Sequence, residues 1–365
     1  MRQLDSLRAE LSGVDNELLE LITRRQVLAA EIGMKKLEAG LPTRDFSRER
    51  IVLEQARLTA ANCGLNQELA EKVTLLLIEA SLTVQEQDRV TRRAGGHGQR
   101  ALVIGGAGKM GGWMARYLGS QGYEIEIADL KDSAAGYRNV HDWQASPLDH
   151  DIIVLATPLR VTQGILMELA ASPPSGLIFD VGSLKTPLRT GLLRLAEVGA
   201  QVTSVHPMFG PDTQLLSGRH VIFVDLGISS ATQRARELFD STMALQVEMD
   251  LDSHDRVIAY VLGLSHAVNI AFFTALAQSG EEIPHLTEFS STTFDAQLEV
   301  ATAVSAENPH LYFEIQSMND YGSAPLDALV AAVARIREVV RNQDEASFVR
   351  LMNRGRTYLQ VRARR

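Results

Sequence analysis

Gly106, Gly108 and Gly111 stand in the run Gly106-Ala-Gly-Lys-Met-Gly111, directly after the apolar stretch ALVIGG and before a segment of helical period. A glycine turn between a strand and a helix suits a pyrophosphate. Gly106 allows the tight turn, Gly108 lets the backbone approach the anion, and Gly111 lets helix and strand pack closely. The helix N-terminus, carrying Lys109 and Met110, faces the negative charge. Asp129 closes the next apolar stretch, about 20 residues downstream, where a carboxylate accepts from a ribose 2′-hydroxyl and repels a 2′-phosphate. The spacing therefore points to NAD over NADP, a preference that Lys131 softens. Later polar stretches end further apolar runs: Thr157 and Pro158 in ATP, Ser183 in DVGSLK, and His206 in HPMFGPD. In an open α/β sheet, ligands sit at the carboxyl ends of strands, so these residues can converge. A histidine there can take or share a substrate proton while hydride leaves for the nicotinamide, and Ser183 could donate to the same oxygen. The bland alternative is that His206 only satisfies a buried backbone group.

A second set lies in the first 93 residues: Arg8, Arg25, Lys36, Asp45, Arg48, Glu49, Ser81 and Gln85. Ser81 and Gln85 are four apart and share one helix face. Taken singly, each cation reads as a solvated helix edge.

These residues need elements to position them. Leu4, Leu7, Leu11, Val14, Leu18 and Leu21 repeat at three and four, which predicts one long helix running on to Ile32. At 1.5 Å per residue it is about 45 Å long, too long to cover itself without partner helices or another subunit. Leu41-Pro42 breaks it, a second helix starts near Ser47, and a third runs from an Asn66 cap to Arg89. Residues 94–99 read as a glycine-rich linker. From 100 to 250 short apolar runs alternate with helical stretches, which predicts a doubly wound parallel sheet. From 251 to 365 the pattern is helical, with VIAYVLGLSHAVNIAFFTALAQ apolar nearly all round and a basic RARR tail expected to fray. The fold class is thus multidomain: an all-α domain over 1–93, a Rossmann-like α/β domain, and an all-α C-terminal domain.

Composition narrows the function. The 365 residues carry 36 Lys+Arg against 45 Asp+Glu, a net charge of −9, which excludes a global nucleic-acid footprint. The single cysteine, Cys63, fits a reducing, cytoplasmic setting. No membrane-spanning run, signal peptide or metal-binding Cys/His cluster is expected.

HPMFGPD, with VGSLK and the glycine loop, resembles the TyrA family of prephenate and arogenate dehydrogenases over about 100–365. The resemblance implies that His206 hydrogen-bonds the substrate 4-hydroxyl with help from Ser183, and that Ser265, His266 and Asn269 line the substrate pocket. The chain departs from that family in one respect. No arginine occurs between Arg256 and Arg335, where the family holds a substrate carboxylate, and the matching helix offers Gln297 instead. The first 93 residues resemble the AroQ class of chorismate mutases through LRAELSGVD, LITRRQVLAAEIGMKK, PTRDFSRER and LIEASLTVQ. That resemblance implies arginines clamping two carboxylates, Lys36 and Gln85 facing an ether oxygen, and Glu49 on the ring hydroxyl. It also implies a helical homodimer in which Arg8 reaches the other subunit's site. The two halves together imply chorismate to prephenate, then prephenate plus NAD to 4-hydroxyphenylpyruvate. Alternatives are the 4-amino-4-deoxy substrates, arogenate, or a metabolite sensor without turnover.

Overall fold

A computed structural model describes residues 3–133 and 136–360, so the RARR tail lies outside the described residues. The chain divides into two units, Met1–Ser183 with Thr190–Asp250, and Leu184–Arg189 with Leu251–Arg365.

In the first unit, α1 (Leu4–Glu38), α2 (Phe46–Cys63) and α3 (Gln67–Arg92) form a helical bundle in which α1 and α2 both pack on α3. Asn66 caps α3 by accepting from the Leu69 N–H at 3.0 Å, as its side chain predicts. Asp45 caps α2 in the same way through the Arg48 N–H. Ala29 is the sole fully buried described residue of α1. Its leucine stripe stays open, with Leu4, Leu11 and Leu21 each 61% exposed.

The segment read as a linker is not a free tether. The Gly96 N–H donates to the Gln121 carbonyl, and the Glu124 N–H donates to the Gln99 carbonyl. Gly96 lies against the Tyr123 ring, where a Cβ would come within 2.4 Å. The segment thereby seats the helical bundle on the turn between α4 (Lys109–Ser120) and β2 (Glu124–Ala128).

The sheet has eight strands in the order β3-β2-β1-β4-β5-β6-β7-β8. The strands are β1 (Arg100–Ile104), β2, β3 (Arg138–Val140), β4 (Ile152–Leu155), β5 (Leu177–Asp180), β6 (Val202–Pro207), β7 (His220–Val224) and β8 (Leu245–Met249). Pairing is parallel except between β6 and β7. That reversal, and the edge strands β3 and β8, were not legible in the sequence: the return after β6 runs through the 208–219 loop with no helical crossover, β3 has only three residues, and neither edge strand has a fully buried residue. The core is made by buried residues of β1, β4, β5, β6 and β7 under α4, including Val103, Met114, Val154, Phe179 and Phe223.

Helices α5 (Leu159–Ala171), α6 (Arg189–Glu197) and α7 (Ser229–Glu237) connect strands of the sheet; the second unit is helical and includes α10 (Ile283–Glu288) and α14 (Glu345–Gln360). Segment 184–189, inside the range predicted for the α/β domain, packs here because the Asp255 carboxylate accepts from the Lys185 N–H at 2.9 Å and from the Thr186 N–H. The expectation that no run could span a bilayer needs correcting. Leu251–Gln278 is a continuous helical stretch of 28 residues with a mean hydropathy of 1.7 in its most apolar window. The polar residues 252–256 at its start and Ser265, His266 and Asn269 within it interrupt the apolar run in the sequence, but the helix continues through them. The stretch comprises α8 (Leu251–Ile258), a π-helical turn over Ala259–Leu264 and α9 (Ser265–Gln278). It packs against α11 (Thr292–Ser305), α12 (Pro309–Ser317) and α13 (Ser323–Arg341).

Candidate active sites

Five parallel strands deliver the predicted nucleotide residues to one edge of the sheet. β1 ends in the glycine loop, β2 in Asp129, β4 in Thr157 and Pro158, and β5 in the turn holding Ser183. Asp180 pairs with Ser204 on β6, so His206, two residues further along β6, lies at the same end of the sheet as the turn after β5. The sheet order reverses between β1 and β4, which is where a doubly wound fold leaves its crevice. The glycine roles differ from the expected ones. Gly105, not Gly106, makes the turn with φ +87, a conformation that side chains rarely adopt. Gly106 is instead required by close packing, since a Cβ would lie 2.8 Å from the Ile127 side chain. Gly111 must approach the loop closely, its Cβ position being 2.2 Å from the Gly105 carbonyl. Gly108 meets only the Gly105 carbonyl, at 3.2 Å, and caps α4 ahead of Lys109 and Met110. Asp129 accepts from the Ala107 N–H at 3.1 Å and the Lys131 N–H at 3.0 Å, which aims its carboxylate along the loop. Thr157 shares a 2.7 Å hydroxyl contact with Thr162, and Pro158 opens α5 (Leu159–Ala171). His206 is 4% exposed, and the Asp180 carboxylate beneath it accepts from Gly182 N–H and the Ser204 hydroxyl.

In the second unit, Ser265, His266 and Asn269 open α9 directly after the π-helical turn, a feature that recurs at functional sites. The Ser265 hydroxyl donates to the Val261 carbonyl at 2.8 Å. The Asn269 amide donates to the Ser265 carbonyl, and its oxygen accepts from Gln297 Nε2 at 2.9 Å. His266 stacks on Tyr312 with ring centroids 4.0 Å apart, and its Nδ1 is buried without a partner. Burial pushes the His266 pKa below its ordinary 6.5. The unfolded chain then binds a proton there that the folded unit refuses, so acidification below about 6.5 costs stability down to the depressed folded value. Thermal midpoints at pH 7 and 5 should differ less in His266→Phe, which keeps the stack, than in the parent chain. An unchanged difference would exclude His266 as the source.

The helical bundle gathers part of the basic set. The Arg25 guanidinium, reaching from α1, donates to the Leu77 carbonyl and the Ser81 hydroxyl on α3. One turn of α3 further on, Gln85 is 7% exposed and faces Gly33, where a Cβ would come within 2.7 Å of its Cγ. The Gln85 Oε1 is buried without a partner. Lys36 Nζ donates to the Thr43 carbonyl at 2.7 Å. Glu49 is engaged, since Arg44 holds it in a bidentate pair at 3.0 Å for each bond. Three members of the set stand apart. Arg8 is exposed and lies about 25 Å up α1 from Arg25; Asp45 is the α2 cap; and Arg48 points to solvent in this chain. Helical spacing places residues on a face but does not bring distant turns of one rigid helix together.

Comparison with known proteins resolves what these domains are. Residues 7–86 match the family model for chorismate mutase type II. Residues 115–244 match the nucleotide-binding domain of prephenate dehydrogenase, and 250–354 match its dimerization domain. The chain joins a type II chorismate mutase domain to the two domains of a prephenate dehydrogenase. The T-protein of Enterobacter agglomerans is 26% identical, over 100% of this chain and 95% of that protein. A 4-amino-4-deoxyprephenate dehydrogenase of Streptomyces pristinaespiralis is 28% identical, over 69% of this chain and 88% of its own. The fold is that of the A. aeolicus prephenate dehydrogenase crystallised with hydroxyphenyl propionate and NAD+, with a TM-score of 0.60 and 18% identity, over 72% of this chain and 98% of that one.

Sequence inspection of the mutase domain missed Arg89, Arg44 and Thr43. Arg89 is half-buried on α3, one turn past Gln85, where its Nη1 donates to the Thr43 hydroxyl at 3.0 Å and its buried Nε has no partner. Its position four residues after Gln85 on the Ser81 face was the available signal. Burial, and then Arg93, push the Arg89 pKa down; burial does the same to Arg25. A guanidinium stays charged nonetheless. In the nucleotide-binding domain, the missed residue is Gly105.

Proposed function

We propose that this chain rearranges chorismate to prephenate in its mutase domain and oxidatively decarboxylates prephenate to 4-hydroxyphenylpyruvate with NAD in its dehydrogenase domains. The seam between α1 and α3 carries the proposal. Arg25, Lys36 and Arg89 line it, and two buried polar atoms there, Gln85 Oε1 and Arg89 Nε, lack partners. Buried polar groups left unpaired are costly, so such a seam is poised for a polar, anionic ligand. Chorismate is a dianion whose rearrangement moves no proton, so the work is to hold a chair-like conformer and stabilise charge on the breaking ether oxygen. Arg25 would clamp a carboxylate, Lys36 and Gln85 would face the ether oxygen, and Glu49, oriented by Arg44, would accept from the ring hydroxyl. Gln85 has no proton to lose, so the mutase rate should stay flat across neutrality. A rate that collapses above pH 7 while the fold persists would count against this role.

The dehydrogenase crevice fits a dinucleotide. Gly108 leaves the loop backbone open to a pyrophosphate, while Asp129 is aimed for a ribose. Bound NAD supplies a hydride acceptor. His206 accepts the proton of the substrate 4-hydroxyl as that carbon becomes a carbonyl, Ser183 assists at the same oxygen, and loss of CO2 aromatises the ring. Purified protein given chorismate and NAD should form NADH. No NADH from either chorismate or prephenate would overturn the dehydrogenase assignment.

The dehydrogenase substrate has a second reading, favoured by Gln297. It bonds Asn269 where the family resemblance calls for a carboxylate-binding arginine, and one relative is named for the 4-amino substrate. Turnover of prephenate, arogenate and 4-amino-4-deoxyprephenate side by side decides between them.

The exposed leucine stripe of α1 and the dimerization-domain match support a homodimer in which Arg8 serves the partner's mutase site. Co-expressed Arg8→Ala and Arg25→Ala chains should then recover about a quarter of the mutase activity, because a two-fold hybrid holds one intact site. Mixed chains as inactive as either parent would exclude a shared site.

A further inference from the structure

The residue after Gln85 on α3 faces the nucleotide-binding domain. Glu86 is 3% exposed. Its two carboxylate oxygens accept from the Leu216 N–H and the Met243 N–H, each at 2.7 Å. Met243 lies in the turn before β8. Leu216 lies in the 208–219 loop, which begins two residues after His206. The next residue of that loop, Ser217, accepts at its hydroxyl from Arg44 Nη1 at 2.8 Å, while the other Arg44 nitrogens hold Glu49. From the opposite side, the Trp113 indole on α4 donates to the Thr213 carbonyl at 2.9 Å, and Phe209 packs edge-on against Trp113 at 5.0 Å. One loop is therefore fixed at once by the neighbour of Gln85, by the partner of Glu49 and by the helix that the glycine turn opens.

We propose that the 208–219 loop couples the two active sites, with Glu86 and Arg44 as its positioning residues. The proposal rests on the function proposed above. A buried carboxylate is tolerated only while its donors stay in place, so α3 cannot shift at Gln85 without carrying Leu216 and Met243. Burial raises the Glu86 pKa and the two N–H groups oppose that rise; the carboxylate and its donors thus act as one piece. A displacement transmitted one way is transmitted the other way by the same free energy.

The test places each substitution in the domain whose own activity should be spared. In the full-length chain, Glu86→Gln keeps the side-chain size but sets an amide NH2 against one of the two backbone N–H groups. Ser217→Ala releases Arg44 from the loop. Glu86→Gln should lower dehydrogenase kcat for prephenate about tenfold, with the KM for NAD held within about twofold. Ser217→Ala should raise the mutase KM for chorismate about threefold. A merely structural role would lower the thermal midpoint and leave both sets of constants unchanged well below it. Each arm decides its own residue: an unchanged dehydrogenase kcat in Glu86→Gln overturns the part of Glu86, and an unchanged mutase KM in Ser217→Ala overturns that of Arg44. Should Glu86→Gln fail to fold, Glu86→Asp, which stays in the mutase domain and is one methylene too short to hold both N–H groups, replaces it with the same expected loss and the same overturning result. Absence of both activities in the parent chain would instead overturn the proposed function.

Discussion

His206→Asn should lose about 10²- to 10⁴-fold in dehydrogenase kcat, the usual contribution of a positioned general base, while mutase activity is unchanged. The argument is positional. His206 sits buried at the carboxyl end of β6, at the same end of the sheet as the turn that carries Ser183 and the glycine loop. Asparagine retains a polar side chain that can satisfy neighbours in the strand but cannot accept the hydroxyl proton at neutral pH. NADH formation from prephenate, together with binding of NAD by the variant, measures the effect. A kcat within tenfold of the parent would remove His206 from the chemistry. The same pair of measurements addresses a metabolite sensor, which would bind ligand before and after the substitution and show no turnover in the parent chain.

Arg25→Ala should lower the mutase rate about 10²- to 10³-fold, the range for deleting one preorganised donor at developing or fixed negative charge. Arg25 is held against α3 by Leu77 and Ser81 before any substrate arrives, so little reorganisation is needed on binding. Its loss leaves the Leu77 carbonyl still paired with the Ser81 hydroxyl at 2.7 Å, which confines the damage to the site. Chorismate turnover should fall while prephenate-dependent NADH formation persists. A loss of both in equal measure would indicate damage to the fold instead, and a mutase rate within tenfold would remove the clamp.

Local chemistry made several features readable from residues alone. The Asn66 cap, the breaks between the first three helices, the strand-turn-helix around the glycine loop and Asp129 at the next strand end all follow from rules that act within a few residues. The leucine stripe of α1 likewise announced an uncovered face, because its period is a property of the helix itself. The basic set was legible as composition on faces, but its grouping was not. Whether Arg25 meets Ser81, or Glu49 meets Arg44, depends on how α1 and α2 lie on α3, and Arg89 joined the site only when Thr43 came across to it.

Tertiary packing also decided the roles that single residues could not reveal. Gly105 takes the positive φ and leaves Gly106 to close packing against Ile127, a distinction set by the neighbouring strand and invisible in a run of glycines. The linker docks on the α4–β2 turn, and 184–189 joins the helical unit through Asp255. Glu86 has no local signal of its own: two backbone N–H groups, far away along the chain, enclose it. Periodicity, caps and glycine turns are short-range properties written into neighbouring residues, whereas a buried charge and its partners are chosen by the burial cost of the assembled core, which no local stretch of chain contains.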